Sequence, residues 1–168
     1  GGIRLDLAFS VFTVDSNGVN LTPVVQIINQ AFVDFGAMKI SPDGKYVAVA
    51  DHTLQKVFFY EFDNQAITFN HFFTLPTVPA FGLFISPYSI EFSQDSKIFY
   101  YSGGNYVVQY PFTNIGGLNP VDSYIMSCPN AKSLQLARNG KIYITSENPN
   151  NQSHTLSIIH KPEKEVEA

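Results

Sequence analysis

The sequence predicts an all-β chain, and three observations carry this prediction. A hairpin pattern, in which two short β-prone runs flank a tight turn, occurs three times. Aromatic residues are frequent, with 15 Phe and 9 Tyr among 168 residues, and such side chains suit strands. No long segment of the sequence has the period of about 3.6 residues that marks an amphipathic helix. We therefore expect a fold built from repeated hairpins.

The clearest copy of the hairpin spans residues 36–50, around a Ser-Pro-Asp-Gly turn at 41–44. Pro42 presets the φ angle for the first corner of a type I turn, and Asp43 favours the second corner. Gly44 then supplies the left-handed residue that closes a bulged hairpin loop. The turn is therefore specified locally.

The pattern returns at residues 88–102 and 133–145. Ser96 and Gly140 take the place of Gly44, at spacings of 52 and 44 residues. A serine in the left-handed region costs more than a glycine, so the middle copy has the weakest turn. Repeats of about 40–50 residues with several strands each are typical of β-propeller blades.

A second hairpin follows the first and completes a blade of four antiparallel strands. The turn at 15–19 resembles the turn at 63–67, each beginning with an aspartate. We predict a partial β-propeller of about three to four blades over residues 1–160, followed by a charged tail at 161–168. The predicted blade fragments are 3–30, 36–76, 88–127 and 131–160.

This number of blades raises the question of how the ring closes. Closed propellers typically have four to eight blades. The runs at 47–50 and 98–101 are apolar on both faces, as expected for strands that are covered on both sides. Uncovered end blades would expose apolar surface. We therefore expect a protein partner or further propeller blades to cover the ends, and favour a section of a longer propeller over a ring completed by another chain.

Composition excludes several partners. The net charge of −4 gives no electrostatic case for nucleic acid or an anionic membrane surface. No apolar run approaches the ~20 residues that span a bilayer, so no transmembrane segment is predicted. Cys128 is the single cysteine, which rules out an internal disulfide, and we expect it to be a small buried hydrophobe at a strand end.

Polar residues that directly follow the second strand of each repeat form the candidate ligand-binding site. They are Asp51, His52, Asn105, Glu147 and Asn148. Because these loops open onto one rim of a propeller, we expect the side chains to converge near the axis if the ring closes. The alternative is that they are solvated loop residues. An Asp-His pair could act as a general base only with water or a nucleophile in reach.

No catalytic motif, metal site or cofactor site is predicted. The four histidines are not spaced as metal ligands with another His or Cys, and no Gly-x-Ser-x-Gly elbow is present. The series Asp43, Asp95 and Asn139 is explained by hydrogen bonds within turns.

The Ser-Pro-Asp-Gly-Lys turn at 41–45 resembles the corresponding turn of YVTN-type and WD-like propellers. A closer resemblance is to the propeller region of large secreted proteins of gliding bacteria. It covers roughly residues 7–160, departs at Ser96 and Arg138, and rests on motifs at 17–25, 62–64, 88–93 and 134–143. Those proteins often carry polycystic-kidney-disease-type repeats and a type IX secretion signal. The resemblance implies export, an extracellular or cell-surface (outer-membrane associated) position, and an adhesive or scaffolding role in gliding motility or adhesion.

Three functional hypotheses follow. The favoured one is a non-enzymatic module outside the cell, a scaffold or adhesin-type binder of a protein or glycan. The alternative is a lactonase-like propeller hydrolase, with Asp51, His52, Asn105 and Glu147 around a metal or water. The third is a structural spacer. A divalent ion on the axis would favour the hydrolase, whereas aromatic blade faces in contact with another chain would favour the module.

Overall fold

The structure consists of β-strands joined by turns, which confirms the predicted fold class. The computed structural model describes residues 7–28, 35–76, 79–80, 83–112, 123–148 and 153–164. Within these ranges no residue is helical. The strands form several antiparallel sheets, and the three largest share one connectivity.

The chain enters the fold through an irregular hairpin, which supplies the two strands of the first blade. Its long arms are β1 (Leu7–Val11) and β4 (Val24–Ile28), which pair with each other. Its tip is a short ribbon of β2 (Val14–Asp15) and β3 (Gly18–Val19). A break at 20–23, which contains Pro23, separates tip and arm because proline cannot donate to a ladder.

The second, third and fourth blades are meanders whose first strand is innermost. The second blade has strands β5 (Phe35–Ile40), β6 (Tyr46–Asp51), β7 (Lys56–Asp63) and β8 (Thr68–Pro76). A ribbon of β9 (Pro79–Ala80) and β10 (Leu83–Phe84) leads to the third, with β11 (Ser89–Phe92), β12 (Ile98–Gly103), β13 (Tyr106–Pro111) and β14 (Tyr124–Ser127). The fourth has β15 (Ala131–Leu136), β16 (Ile142–Asn148) and β17 (Ser153–Ile159).

The first strands β5, β11 and β15 lie side by side around a common axis. Strand β11 contacts both of the others. Near the repeated turns, the Asp43 N–H donates to Ser96 Oγ at 3.1 Å; at the far end, the Leu134 N–H donates to Ser89 Oγ at 3.0 Å. Equivalent ends of the copies therefore adjoin. We call the rim that carries the repeated turns the lower rim, and the opposite rim, where β5, β11 and β15 begin, the upper rim.

The repeated turns have the geometry that their residues predict. Gly44 and Gly140 both have a φ of +74°, and Ser96 has a φ of +60°. In each turn the N–H of this residue donates to the carbonyl three residues earlier, at 2.8–2.9 Å. Ser96 differs because its hydroxyl accepts the N–H of Asp43 from the neighbouring blade. That interblade hydrogen bond is the structural role of a serine where glycine is expected.

Apolar side chains fill the space between successive blades. The second–third interface has the largest cluster, which includes Phe59, Phe92, Phe99, Tyr110 and Phe112. The edge of the Phe99 ring meets the Phe59 ring, with centroids 4.9 Å apart. Smaller clusters lie between the first and second blades and between the third and fourth. Burial on both faces of the central strands is thus produced by neighbouring blades.

Both end blades expose apolar side chains, as expected for a partial propeller. On the first blade Val25 and Ile27 are more than half exposed. On the fourth blade Leu156 is 62% exposed. Met38 and Ile40 on β5 are also more than half exposed, beside the first blade, which has only two long strands among the described residues.

The start of the charged tail is bound to the third blade. The Tyr100 hydroxyl donates to the carbonyl of Pro162 at 2.8 Å, and Gln109 Nε2 donates to the carbonyl of Lys164 at 2.8 Å. Burial raises the pKa of Tyr100 to about 12, so this hydroxyl keeps its proton further into the alkaline range than an exposed tyrosine does. The described residues contain no helix that could cross a membrane.

Candidate functional site

The structure separates the predicted rim residues into two groups. Asp51 ends β6, is fully buried, and its Oδ1 accepts the N–H of Leu54 at 2.8 Å. It therefore shapes the turn at 52–55, in which His52 is exposed. Neither residue lines the cleft that holds Asn105 and Glu147.

That cleft, which we call the rim cleft, lies between the third and fourth blades at the upper rim. Its volume is about 710 Å³. Two of its lining residues, Asn105 and Glu147, were predicted from the sequence. The others that bear on its chemistry are mainly hydroxyl and thiol side chains: Ser127, Cys128, Ser146, Thr155 and Ser157. The rim cleft thus combines a carboxylate, an amide and several hydroxyl groups.

Glu147 is held near the end of a strand. Strand β16 continues through Asn148, because its last residues pair with β17. The Glu147 N–H also donates to the carbonyl of Asn130 at 3.4 Å. The side chain of Glu147 is exposed, and that of Asn148 lies outside the described residues. Glu147 therefore offers an accessible carboxylate on a fixed backbone.

Asn105 ties the third blade to the connection that forms one wall of the rim cleft. Its Oδ1 accepts the N–H of Asn130 at 3.0 Å, and its backbone carbonyl accepts the N–H of Cys128 at 2.8 Å. No hydrogen bond from its side-chain NH₂ group is found within the described ranges. This leaves amide N–H donors at the cleft.

Cys128 follows β14 directly, is half-buried, and packs against the third–fourth cluster. Its position is close to the predicted small hydrophobe at a strand end. Burial raises the pKa of the Cys128 thiol, and a hydrogen bond from Ser157 opposes this shift without cancelling it. Because the thiolate is the nucleophilic form, Cys128 is suited to packing in the cleft wall.

Three polar side chains that the sequence analysis did not single out meet near the axis. Lys39 Nζ lies 2.9 Å from Glu91 Oε2 and 3.1 Å from Gln135 Oε1. The three residues lie on the inner strands β5, β11 and β15. Each stands two positions before the first residue of the repeated turn that follows its strand. Comparing the three copies at that position would have found them, since Lys, Glu and Gln interrupt β-prone runs there.

This axial cluster is a structural tie between blades. Glu91 is 4% exposed, and its Oε2 also accepts the N–H of Leu136 at 2.8 Å. Its Oε1 accepts the N–H of Phe92 at 3.1 Å. Since both oxygens are engaged, Glu91 is a poor candidate for proton abstraction.

An aromatic ring lies at the start of the third blade's inner strand. Tyr88 is 53% exposed, and Lys132 Nζ lies 5.6 Å from the centre of its ring. The carbonyl of Lys132 accepts a hydrogen bond from the Ser102 hydroxyl. Lys132 is two residues after Asn130, so this pair lies on the upper rim beside the rim cleft.

Potential metal ligands are dispersed in the part of the chain that the structure describes. No group of three or more His, Cys, Asp or Glu side chains lies close enough there to hold an ion.

No protein-family model matches the sequence, and no curated protein matches it. Solved structures do match. A candidate 6-phosphogluconolactonase from Bacteroides fragilis has a TM-score of 0.62 at 16% identity, over 90% of this chain and 47% of that one. The periplasmic gluconolactonase PpgL of Pseudomonas aeruginosa has a TM-score of 0.55 at 18% identity, over 90% and 50%. The β-propeller domain of Cps50 from Myceliophteria thermophila has a TM-score of 0.58 at 9% identity, over 82% and 43%.

At these identities the similarity establishes the fold, a β-propeller. The chain spans about half the length of these structures or slightly less, as expected for a section of a propeller.

The comparisons correct the main functional prediction. The sequence favoured a non-enzymatic scaffold or adhesin-type binder, but the similar structures include proteins named for lactone hydrolysis. No matching family supports secreted proteins of gliding bacteria. The prediction of a non-enzymatic module is therefore wrong, and the lactonase-like alternative is the one that the findings favour. The error arose because turn motifs specify a propeller and carry no information on its chemistry.

Proposed function

We propose that this chain is part of a propeller hydrolase that opens lactones, with the rim cleft as its active site. The observation that carries the proposal is that Glu147 and Asn105 line one cleft together with several hydroxyl groups. The fold shared with proteins named as gluconolactonases adds support. Asp51 and His52 are left out of the proposed site because they lie on the second blade.

Lactone hydrolysis needs a base and a group that stabilises negative charge on the carbonyl oxygen. In our proposal the Glu147 carboxylate takes a proton from water as the water attacks the carbonyl carbon. The Asn105 amide donates a hydrogen bond to the oxygen that becomes negative. Its own backbone carbonyl and Oδ1 are engaged by the connection at 128–130, which fixes the residue in advance.

The hydroxyl groups of the cleft suit a polyhydroxylated substrate. Ser146 and Thr155 are hydrogen-bonded to each other, and Ser157 lies next to the Cys128 thiol. Such groups can both donate and accept hydrogen bonds with sugar hydroxyls. The half-exposed Tyr88 ring offers an apolar surface beside them. We therefore propose a sugar lactone as the substrate class.

The complete ring and its location are part of the same proposal. Further blades would cover the apolar ends, and residues 1–160, with fragments 3–30, 36–76, 88–127 and 131–160, would form one section of it. We propose a location outside the cytoplasm, periplasmic or at the cell surface. A similar fold in a periplasmic gluconolactonase supports this location.

Hydrolysis of glucono-δ-lactone by the purified protein tests the proposed function. Acid release above the spontaneous rate is followed by pH-stat titration for the wild type, for Glu147→Gln and for Glu61→Gln. Glu61 is the matched control, because it is an exposed glutamate on β7 at the lower rim. Removal of a general base is expected to lower kcat/KM by about 100-fold or more, while Glu61→Gln keeps the wild-type rate.

Two results would reject the proposal. One is a folded wild-type protein that adds nothing to the spontaneous rate. The other is a Glu147→Gln protein that hydrolyses the lactone as fast as the wild type, which would move the chemistry away from the rim cleft.

A further inference from the structure

The turn at 128–131, which joins the third blade to the fourth, has a conformation that depends on Asn130. The Ala131 N–H donates to the carbonyl of Cys128 at 3.1 Å and closes a β-turn over Pro129 and Asn130. Asn130 has a φ of +49°, in the left-handed region. Proline at the second position and a positive φ at the third are the features of a type II turn. The central peptide group of such a turn is flipped by about 180° relative to a type I turn.

The main chain of Asn130 makes two contacts at the rim cleft. Its N–H donates to Asn105 Oδ1 at 3.0 Å, and its carbonyl accepts the N–H of Glu147 at 3.4 Å. Asn130 thus contacts both residues that the proposed hydrolysis uses. In a type I turn the carbonyl of Pro129 would replace the Asn130 N–H and face the Asn105 oxygen. The contact with Asn105 therefore depends on the left-handed conformation.

The same contact decides which end of the Asn105 amide is free. An asparagine side chain has an oxygen that accepts hydrogen bonds and an NH₂ group that donates them. Because the Asn130 N–H is a donor, it pairs with the oxygen and leaves the NH₂ group available at the cleft. Asn105 is exposed, so packing does little to hold its side chain. The direction of the amide is therefore set by this hydrogen bond.

We propose that Asn130 is a positioning residue for lactone opening, a role that rests on the function proposed above. It acts through Asn105, whose NH₂ group it holds toward the carbonyl oxygen that becomes negative. No hydrogen bond of the Asn130 side chain is found in the described part of the chain, so the role belongs to its backbone conformation. Glycine adopts a positive φ readily and can replace asparagine here, whereas alanine disfavours it.

Kinetics of Asn130→Ala and Asn130→Gly with glucono-δ-lactone test this role. Alanine should shift the turn toward type I and lower kcat about 10-fold or more, because Asn105 donates to charge that develops in the transition state. KM should stay within about threefold of the wild type. Asn130→Gly should restore kcat to within about threefold of the wild type. Gly44→Ala is the matched control, since Gly44 also has a positive φ, lies in a lower-rim turn and has space for a Cβ.

The control separates positioning from stability. Gly44→Ala should lower the thermal unfolding midpoint without changing kcat, whereas Asn130→Ala should change kcat as well. An unfolding transition in each variant shows that it is folded.

A double-mutant cycle tests whether Asn130 acts through Asn105. In a protein that already carries Asn105→Ala, Asn130→Ala should lower kcat no further. Three results would overturn the role of Asn130 and leave lactone hydrolysis standing: an Asn130→Ala protein with wild-type kcat, an Asn130→Gly protein as slow as Asn130→Ala, or additive losses in the cycle. A folded wild-type protein that does not hydrolyse the lactone would overturn the proposed function and this role together.

Discussion

The second–third and third–fourth blade interfaces are built from equivalent positions of one repeat, yet they differ in chemistry. On the second blade, the face toward the third carries Ala48, Ala50 and Phe59, all fully buried. On the third blade the equivalent positions toward the fourth are Tyr100, Ser102 and Gln109. The first interface is apolar and aromatic; in the second, Gln109 Nε2 donates to the Tyr100 hydroxyl at 2.6 Å.

This difference indicates how one fold can serve structure and function in adjacent places. Strand pairing and turns keep the backbone of each blade alike, so a few substitutions at equivalent positions decide whether an interface is dry or polar. The rim cleft lies at the polar interface. The aromatic interface packs the third blade, which forms one wall of the cleft, against the second blade.

The largest expected effect comes from the aromatic side of the comparison. Phe59→Ala should lower the free energy of unfolding by about 3–5 kcal/mol, because it leaves a cavity among packed rings. Gln109→Ala, at the equivalent position, should cost only about 1–2 kcal/mol, since it removes hydrogen bonds to Tyr100 and the tail. Urea unfolding followed by circular dichroism measures both. Equal losses of unfolding free energy in the two variants would contradict the proposed difference between the two interfaces.

A smaller effect is expected at the axis. Glu91→Gln should lower the free energy of unfolding by about 3 kcal/mol, because removal of one partner leaves Lys39 without its buried counter-charge. The double variant Lys39→Met/Glu91→Leu should lose less stability than the sum of the losses for Lys39→Met alone and Glu91→Leu alone. An additive result in the double-mutant cycle would show that the 2.9 Å contact carries no coupling.

The smallest effect concerns the weakest turn. Ser96→Ala should destabilise the protein by about 1 kcal/mol, because it keeps the positive φ and loses the hydrogen bond from Asp43. Ser96→Gly loses the same bond but relieves backbone strain of about 1 kcal/mol, so its net change should be near zero. Thermal unfolding of the two variants ranks them. A Ser96→Ala protein as stable as the wild type would show that the interblade hydrogen bond from Asp43 does not contribute to stability.

The fold could be predicted because its signals are local. Pro42, Asp43 and Gly44 specify a turn within three residues, and repetition of that turn implied blades. The position at which β16 ends was harder to predict from the sequence, because its last residues are held in the strand by pairing with β17 rather than by their own β propensity.

The site was only partly predictable because burial depends on packing. Asp51 and Glu147 stand at equivalent positions of their repeats, and in sequence they are equivalent candidates. In the structure Asp51 is buried and accepts the Leu54 N–H, whereas Glu147 is exposed in the rim cleft. Asn105 and Glu147 come from different blades and share only the cleft that they line. No single segment encodes it.

The single cysteine allows the most direct test of the claim that the rim cleft is the ligand site. Cys128 lines the cleft, and its raised pKa predicts slow alkylation by iodoacetamide at pH 8 compared with a free cysteine. The measurement is the alkylation rate with and without saturating gluconate, the product of glucono-δ-lactone hydrolysis. The account predicts that gluconate slows alkylation several-fold. An unchanged rate in a protein that hydrolyses the lactone would contradict it.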